Sequence, residues 1–310
     1  MAHRTEHTLT VAAPPRVLYD LAADVTRWPA IFAPTVYVHH LERSESAERF
    51  QLWALVGGEV ATWTSRRSLD AAGLRIGFTQ ERSQAPIASM SGEWIFRAAS
   101  GGGTEIVLVH EFTAVGDDPG SVRWITEALD RNSPVELAAL ARIGTTGHPV
   151  EDVVFTFADR VPVDGAVADA YEFVNRSDQW PQRLPHVARV VLREVSPGTQ
   201  DMEMDTVTED GSTHTTRSVR ICTPVERIVY KQLVPPRLLL GHSGRWLFTD
   251  DGGGATVTAE HTVAIDPERV REVLGAGATL ADARDFVRSA LGGNSRTTLA
   301  HAGSYAAARR

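Results

Sequence analysis

The chain has 310 residues, of which 43% are hydrophobic and 23% charged, and its net charge is -8. This balance excludes a largely disordered chain, and the acidic charge makes nucleic acids and anionic membranes poor partners. Cys222 is the single cysteine, which excludes an intramolecular disulfide, and without an apolar leader or a membrane-length apolar run we expect a cytoplasmic protein.

In chain order, the first half indicates a strand, two short helices, a series of strands and a long helix. The opening strand covers residues 7–12, a proline-initiated helix covers 14–23, and Trp28-Pro29 begins a short helical turn. Alternating strands follow with a glycine turn at 101–103, and apolar residues at helical spacing predict a long helix over 121–143. The pattern is typical of an α+β domain in which a curved antiparallel sheet wraps a long helix around an interior cavity.

The second half repeats the first. Four landmarks recur 151 or 152 residues later: Trp28-Pro29 as Trp180-Pro181, residues 91–96 as 243–248, the glycines 101–103 as 252–254, and His110 as His261. The repeated elements are a strand over 153–160, a helix over 163–175 and a long helix over 279–300. We therefore predict two tandem copies of one domain, 1–147 and 148–310, joined near the glycines and the proline of 144–149.

Strand alternation predicts which polar side chains face each cavity. Over residues 61–69, Ser65 and Arg67 share a face with apolar residues. In the second copy we align Arg217 with Arg67, which puts Thr215 at the place of Ser65 on an inner face; alignment with Arg66 would put Arg217 on the outer face. A buried arginine needs a partner or a ligand, so its alternatives are a structural ion pair and a ligand contact.

The two histidines and a set of aromatic residues complete the candidate sites. His110 and His261 each lie on the apolar face of a strand, where a histidine either bonds within the core or transfers protons. The aromatic residues form either core or cavity wall, and stacked rings suit a flat, oxygen-rich ligand. The candidates for substrate contact are Trp28, Phe32, Trp63, Trp94, Trp180, Thr215, Tyr230 and Trp246.

Motifs for other chemistries are absent from the sequence. It contains no glycine-rich nucleotide loop, no G-x-S-x-G nucleophile elbow and no H-E-x-x-H metal motif. His39 and His40 are adjacent in a predicted strand, so they point to opposite faces and are poorly placed to share an ion. We predict neither a cofactor nor a metal.

Three motifs resemble those of bacterial aromatic polyketide aromatase/cyclases. They are Arg27-Trp28-Pro29-Ala30-Ile31-Phe32, Trp63-Thr64-Ser65-Arg66-Arg67 and Gly92-Glu93-Trp94. The duplication resembles the di-domain subgroup of that family, which belongs with the START and Bet v1-like helix-grip proteins. The resemblance implies two helix-grip domains.

The resemblance also implies a reaction without a cofactor. A poly-β-ketone on an acyl carrier protein would fold in the cavity, close its first ring between carbons seven and twelve, and lose water to become aromatic. Arg67 would be the motif arginine, with Ser65 and His110 beside it and Arg217 and His261 as second-copy counterparts. The alternatives are a non-catalytic carrier of a hydrophobic ligand and a structural component of the synthase.

Overall fold

The structure, a computed structural model, describes residues 1–207, 211–252 and 254–309. It separates into two compact units, Met1–Val150 and Glu151–Arg310. The middle residue of the second predicted glycine turn, Gly253, lies outside the described residues.

The first unit pairs seven strands into one antiparallel sheet in the order β1-β7-β6-β5-β4-β3-β2. Its elements are β1 (His3–Val11), α1 (Pro15–Ala23), α2 (Trp28–Ile31), β2 (Thr35–Arg43), β3 (Ala47–Val56), β4 (Glu59–Asp70), β5 (Arg75–Gln80), β6 (Ile87–Ala98), β7 (Thr104–Ala114) and α3 (Pro119–Gly144). After β1, every strand pairs with its neighbour in sequence, and β7 returns to pair with β1.

The second unit has the same order, β8-β14-β13-β12-β11-β10-β9. Its elements are α4 (Val150–Val153), β8 (Val154–Val163), α5 (Val167–Asn175), α6 (Trp180–Arg183), β9 (Val187–Ser196), β10 (Thr199–Val207), β11 (Thr213–Thr223), β12 (Arg227–Val234), β13 (Leu239–Asp250), β14 (Ala255–Ile265), α7 (Val270–Leu274) and α8 (Leu280–Ala307). Val163 pairs with Ala255 in the sheet, so the helix predicted over 163–175 begins at Val167, as α5.

A long helix packs against each sheet, which confirms the predicted α+β architecture. Helix α3 is capped by Asp118, whose carboxylate accepts a hydrogen bond from the Ser121 amide at 2.7 Å. Its buried residues Ile125, Leu137 and Leu140 recur at helical spacing and face the sheet side. Helix α8 begins with a reciprocal capping box between Thr279 and Asp282.

The repeated Ser-Gly-x-Trp motif has a packing reason at its glycine. A Cβ at Gly92 would lie 2.3 Å from the Phe78 ring, and a Cβ at Gly244 would lie 2.4 Å from the Tyr230 hydroxyl. Only glycine lets these rings lie across the neighbouring strand, where they reach the histidine one strand further on.

Candidate active site

The first unit encloses a cavity of about 240 Å³ between its sheet and helix α3. The four aromatic residues predicted for it all line it, and Phe50 and Phe78 extend the wall. The rings pack on one another: Trp28 meets Phe32 edge-on at 5.2 Å and Trp94 stacks on Phe32 at 6.3 Å between ring centres. Such a wall binds a flat conjugated ligand by stacking.

Two polar groups of this cavity, Arg67 and His110, lie in one row across the sheet. Cross-strand pairing aligns Glu48, Arg67, Phe78, Gly92 and His110 on β3 to β7, and we call this set the first row. Arg67 and His110 are three strands apart, roughly 14 Å at ordinary strand spacing. The two groups therefore address opposite ends of a ligand rather than each other.

His110 lines the cavity as a neutral imidazole with a free ring nitrogen. Its Nδ1 is buried and has no hydrogen-bond partner within the described residues, and the Phe78 ring meets it edge-on at 5.4 Å. Burial, with a smaller effect from His7, lowers the pKa of His110 to about 4. At neutral pH this nitrogen is therefore uncharged and able to exchange a proton with a ligand.

Glu136 of helix α3 supplies a carboxyl group to the same cavity. Burial raises the pKa of this side chain to about 7. Glu136 is not among the site residues predicted from the sequence. Helical spacing could have identified it, because Glu136 continues the inward series of Ile125, Leu129 and Ser133.

Arg67 is buried, and protein groups take most of its hydrogen bonds. It donates to the buried Glu48 carboxylate from Nε at 2.7 Å and to the carbonyls of Ala22 and Ala23 at 2.9 and 2.5 Å. Its guanidinium lies 5.0 Å from the Trp28 ring centre. These contacts tie β4 to the end of α1 and hold Trp28, so the ion-pair alternative for this arginine is realised.

The second unit encloses a smaller cavity of about 110 Å³. The predicted residues Trp180, Tyr230, Trp246 and His261 line it. Thr215 and Arg217 do not. Both are exposed on the outer face, where Thr215 donates to Asp205 at 2.7 Å and Arg217 pairs with Asp201 at 2.7 Å.

The inward prediction for Thr215 and Arg217 is therefore wrong, because the true alignment is shifted. Gln200, Arg220, Tyr230, Gly244 and His261 align across β10 to β14, and we call this set the second row. Arg220 takes the place of Arg67, and Ser218 takes that of Ser65, both 153 residues later. A shift of three residues reverses the face of every side chain in a strand.

Arg220 repeats the cradle of Arg67. It donates to the carbonyls of Val174 and Asn175 at 2.7 and 3.4 Å and to the Ser177 hydroxyl at 2.6 Å. Its guanidinium lies 5.7 Å from the Trp180 ring centre. The motif arginine therefore occupies equivalent positions in both domains.

His261, unlike His110, is fully bonded within its cavity. Its Nδ1 lies 3.0 Å from the Tyr230 hydroxyl and 3.1 Å from His242 Nε2, and its Nε2 lies 2.9 Å from Ser295 Oγ. Burial lowers the pKa of His261 to about 4, and burial with a smaller effect from His261 lowers the pKa of His242 well below its ordinary value. In the first row, Phe78 replaces Tyr230, and Phe78 has no group that could satisfy the histidine.

Within the described residues, no group of three or more His, Cys, Asp or Glu side chains is arranged to hold a metal ion. His40 of β2 instead lies 2.8 Å from Glu48. In the same part of the chain, no helix is long and apolar enough to cross a membrane.

The fold and the two cavities define a tandem helix-grip protein with a ligand-sized cavity in each domain. A family model described as "Polyketide cyclase / dehydrase and lipid transport" matches residues 11–132. The solved structure of the di-domain ARO/CYC BexL from the BE-7585A biosynthetic pathway superposes with a TM-score of 0.84, at 48% identity and with 98% of each chain covered. That of the di-domain ARO/CYC StfQ from the steffimycin pathway gives 0.80 at 39% identity, covering 98% of this chain and 99% of the other.

Relatives of known name agree with the structural match. The chain is 56% identical over 301 residues to the granaticin polyketide synthase bifunctional cyclase/dehydratase of Streptomyces violaceoruber, covering 97% of this chain and 93% of the relative. It is 55% identical over 314 residues to the actinorhodin polyketide synthase bifunctional cyclase/dehydratase of Streptomyces coelicolor, covering 98% and 97%. The chain belongs to this family of bifunctional polyketide cyclase/dehydratases and is an enzyme.

Proposed function

We propose that the first domain closes and aromatises the first ring of a poly-β-ketone carried by an acyl carrier protein, joining carbons seven and twelve. The observation that carries the proposal is an aromatic-walled cavity in which the neutral imidazole of His110 has a free Nδ1. The carbon positions rest on the resemblance to the di-domain subgroup. The carrier protein rests on the relatives being named as parts of polyketide synthases.

The first chemical step needs a base and a fixed chain. The methylene between two ketones is acidic, so the neutral His110 nitrogen can take its proton and leave an enolate. The enolate carbon then attacks a second ketone, which forms the carbon–carbon bond and places a negative charge on that ketone oxygen. The proton held by His110 can neutralise this oxygen and leave a tertiary alcohol.

The second step removes water. A neighbouring carbon loses a proton, the hydroxyl leaves after protonation, and enolisation of the remaining ketones completes the aromatic ring. Glu136 is suited to this step, because a carboxyl group with a pKa of about 7 is present as both acid and base near neutral pH. The step is a loss of water without oxidation or reduction.

Selection among competing rings is a positioning problem, and the cavity wall supplies the positions. Trp63 and Trp94 confine the chain from two strands, and the buried Ser65 lies beside them to hold a carbonyl or a water. Arg67 acts here as a positioning residue, because its contacts with Glu48 and α1 hold the wall at Trp28.

The test is a product profile with a minimal aromatic polyketide synthase and its carrier protein, with and without a ketoreductase. We expect the wild-type protein to convert a mixture of ring patterns into one, and we expect His110→Gln to return the mixture while folded. An unchanged mixture with both reduced and unreduced chains would reject the proposal. If the protein leaves the mixture unchanged but binds and retains the uncyclised polyketide, the carrier alternative is favoured.

A further inference from the structure

The second cavity carries an unbalanced positive charge. Arg220 lines it with 2% of its surface exposed, and the described residues that line this cavity include no aspartate or glutamate. Its other polar groups are neutral: serine, threonine, tyrosine, asparagine, glutamine and histidine side chains. The guanidinium stays protonated in proteins, so the cavity is cationic.

The two rows differ in the residue that stands opposite the motif arginine, and this residue decides whether the arginine has a carboxylate partner. Opposite the motif arginine stands Glu48 in the first row and Gln200 in the second. The carbonyl cradle and the tryptophan beneath the guanidinium are the same in both domains. The first domain therefore neutralises its arginine, and the second keeps the arginine without the carboxylate.

Gln200 does not replace the missing carboxylate as an acceptor. Its amide nitrogen donates to Asn175 at 3.3 Å, and its Oε1 is buried without a partner in the described part of the chain. Arg220 makes its hydrogen bonds within that part through Nη1 and Nη2, to two carbonyls, the Ser177 hydroxyl and the Met202 sulfur. None of these hydrogen bonds uses its Nε–H.

A second donor points to the same ligand. Ser218 lies two residues from Arg220 on the same face of β11, lines the cavity and is 4% exposed. Its Oγ is buried and has no hydrogen-bond partner among the described residues. A buried cation and a free buried hydroxyl on one strand form a site that an oxyanion would satisfy.

We propose that the second cavity binds a planar organic oxyanion, a carboxylate or a phenolate, on Arg220 and Ser218. Its volume of about 110 Å³ admits at most one aromatic ring, since a dry cavity of about 150 Å³ holds benzene. Trp180 and Trp246 form the aromatic part of the wall. If the first domain closes a ring as proposed above, the enolate or phenolate of that ring is a ligand of this class, and this identification alone rests on the proposed function.

The experiment measures binding to the full chain by calorimetry at low ionic strength. The probes are benzoate and benzamide, which share a shape and differ in charge, and 4-nitrophenol titrated below and above its own pKa to compare phenol with phenolate. We expect benzoate to bind at least about tenfold more tightly than benzamide, because only the anion pairs with Arg220. Equal affinities, or no benzoate binding, would overturn the proposal without any variant and without any polyketide substrate.

The variant Gln200→Glu locates the anion. It supplies the carboxylate that the first domain has at Glu48, so we expect a folded protein with benzoate affinity lowered at least about tenfold. The matched control is Gln182→Glu, which makes the same charge change at an exposed position of α6 and should leave binding unchanged. Wild-type affinity in Gln200→Glu would show that the anion does not bind Arg220.

Ser218→Asp is a second variant, which keeps the proposal testable if Gln200→Glu does not fold. It places a carboxylate on the same strand face as Arg220 by a different route, and it should lower benzoate affinity in the same way. If a folded Ser218→Asp protein keeps wild-type affinity, the proposed site is rejected. None of these measurements uses ring closure, so their failure is distinguishable from failure of the proposed function.

Discussion

His110 and His261 occupy equivalent places in the two sheets but differ in what their Nδ1 atoms contact. Each lies opposite a glycine of the neighbouring strand, Gly92 or Gly244, and each is a neutral imidazole at neutral pH. Tyr230 and His242 hold the second histidine, whereas the first has the Phe78 ring at that side. A histidine held on both nitrogens is a structural element, and one with a free nitrogen can carry a proton.

We expect His110→Gln to lower first-ring formation by about a hundredfold or more, the usual contribution of a general acid or base. Glutamine keeps a polar group of similar reach but cannot accept and return the proton. The measurement is the rate of first-ring product with the synthase and its carrier protein. His261→Gln is the matched control, and an equal loss in the two variants would contradict the assignment to the first domain.

Glu136 should affect stability and activity in opposite directions. Burial raises its pKa to about 7 from an ordinary value of 4.5, so the folded state favours the neutral carboxyl group. Wild-type stability is therefore lost, relative to Glu136→Gln, as the pH rises from about 4.5 towards 7, and the difference levels off above that. We expect a gain of roughly 3 kcal/mol at most for Glu136→Gln at pH 8 and little gain at pH 4.

Urea unfolding of both proteins at pH 4 and pH 8 measures this difference. Glu127→Gln, at an exposed position of the same helix, is the control for a change of surface charge. A stability difference that does not change with pH would show that the carboxyl group is not buried in this way. The proposed mechanism adds that Glu136→Gln slows dehydration, so the stabler variant should be the slower enzyme.

At the scale of secondary structure elements, Arg67 of strand β4 bonds Glu48 of strand β3 and the end of helix α1. Both side chains are 1% exposed, and the arginine also bonds the carbonyls at the end of the helix. We expect Arg67→Met to destabilise the protein by about 3–5 kcal/mol, because it leaves the Glu48 carboxylate buried without its partner.

Arg217→Met is the comparison for this loss. That arginine pairs with Asp201 on the surface and is 52% exposed, so its removal should cost about 1 kcal/mol or less. Chemical denaturation of the two variants gives the measurement. A small loss for Arg67→Met would mean that the buried arginine does not anchor the helix, and would favour a direct role of Arg67 with substrate.

The elements themselves were predictable because apolar periodicity and turn glycines are local signals. The alignment of β11 was not, because the landmarks that flank it, Trp180 and Trp246, both recur at 152 residues and do not determine what happens between them. The offset is 152 at Gln200, becomes 153 at Arg220 and returns to 152 at Tyr230. The alignment of a strand between two such landmarks can shift by one residue, which exchanges its inner and outer faces, while the offset of the flanking motifs stays the same.

The residue offset between the two domains also changes before helix α8, and by more than it does in β11. Asn132-Ser133 of α3 recurs as Asn294-Ser295, 162 residues later, because the second domain inserts α7 before its long helix. Both pairs line their cavities. With this alignment, Glu136 corresponds to Thr298, so the carboxyl group is confined to the first domain.

For the whole molecule, the two domains share a fold but differ in cavity chemistry. The first has a neutralised arginine, a free histidine nitrogen and a carboxyl group in about 240 Å³. The second has an arginine without a carboxylate and a bonded histidine in about 110 Å³. The larger cavity is suited to a folded chain, and the smaller one to a single charged ring.

One substitution in each domain can therefore test the roles of the two cavities separately. Ser133 and Ser295 occupy equivalent buried places on the long helices, and leucine at either one projects into the cavity it lines. We expect Ser133→Leu to lower the yield of the selected first ring by about tenfold or more, because a small displacement of the chain spoils the attack geometry. Ser295→Leu should leave the selected ring pattern in place, since the proposed function has the chain bend in the first cavity. The product profile of each folded variant measures the outcome, and loss of ring selection in both would mean that the second cavity also shapes the uncyclised chain.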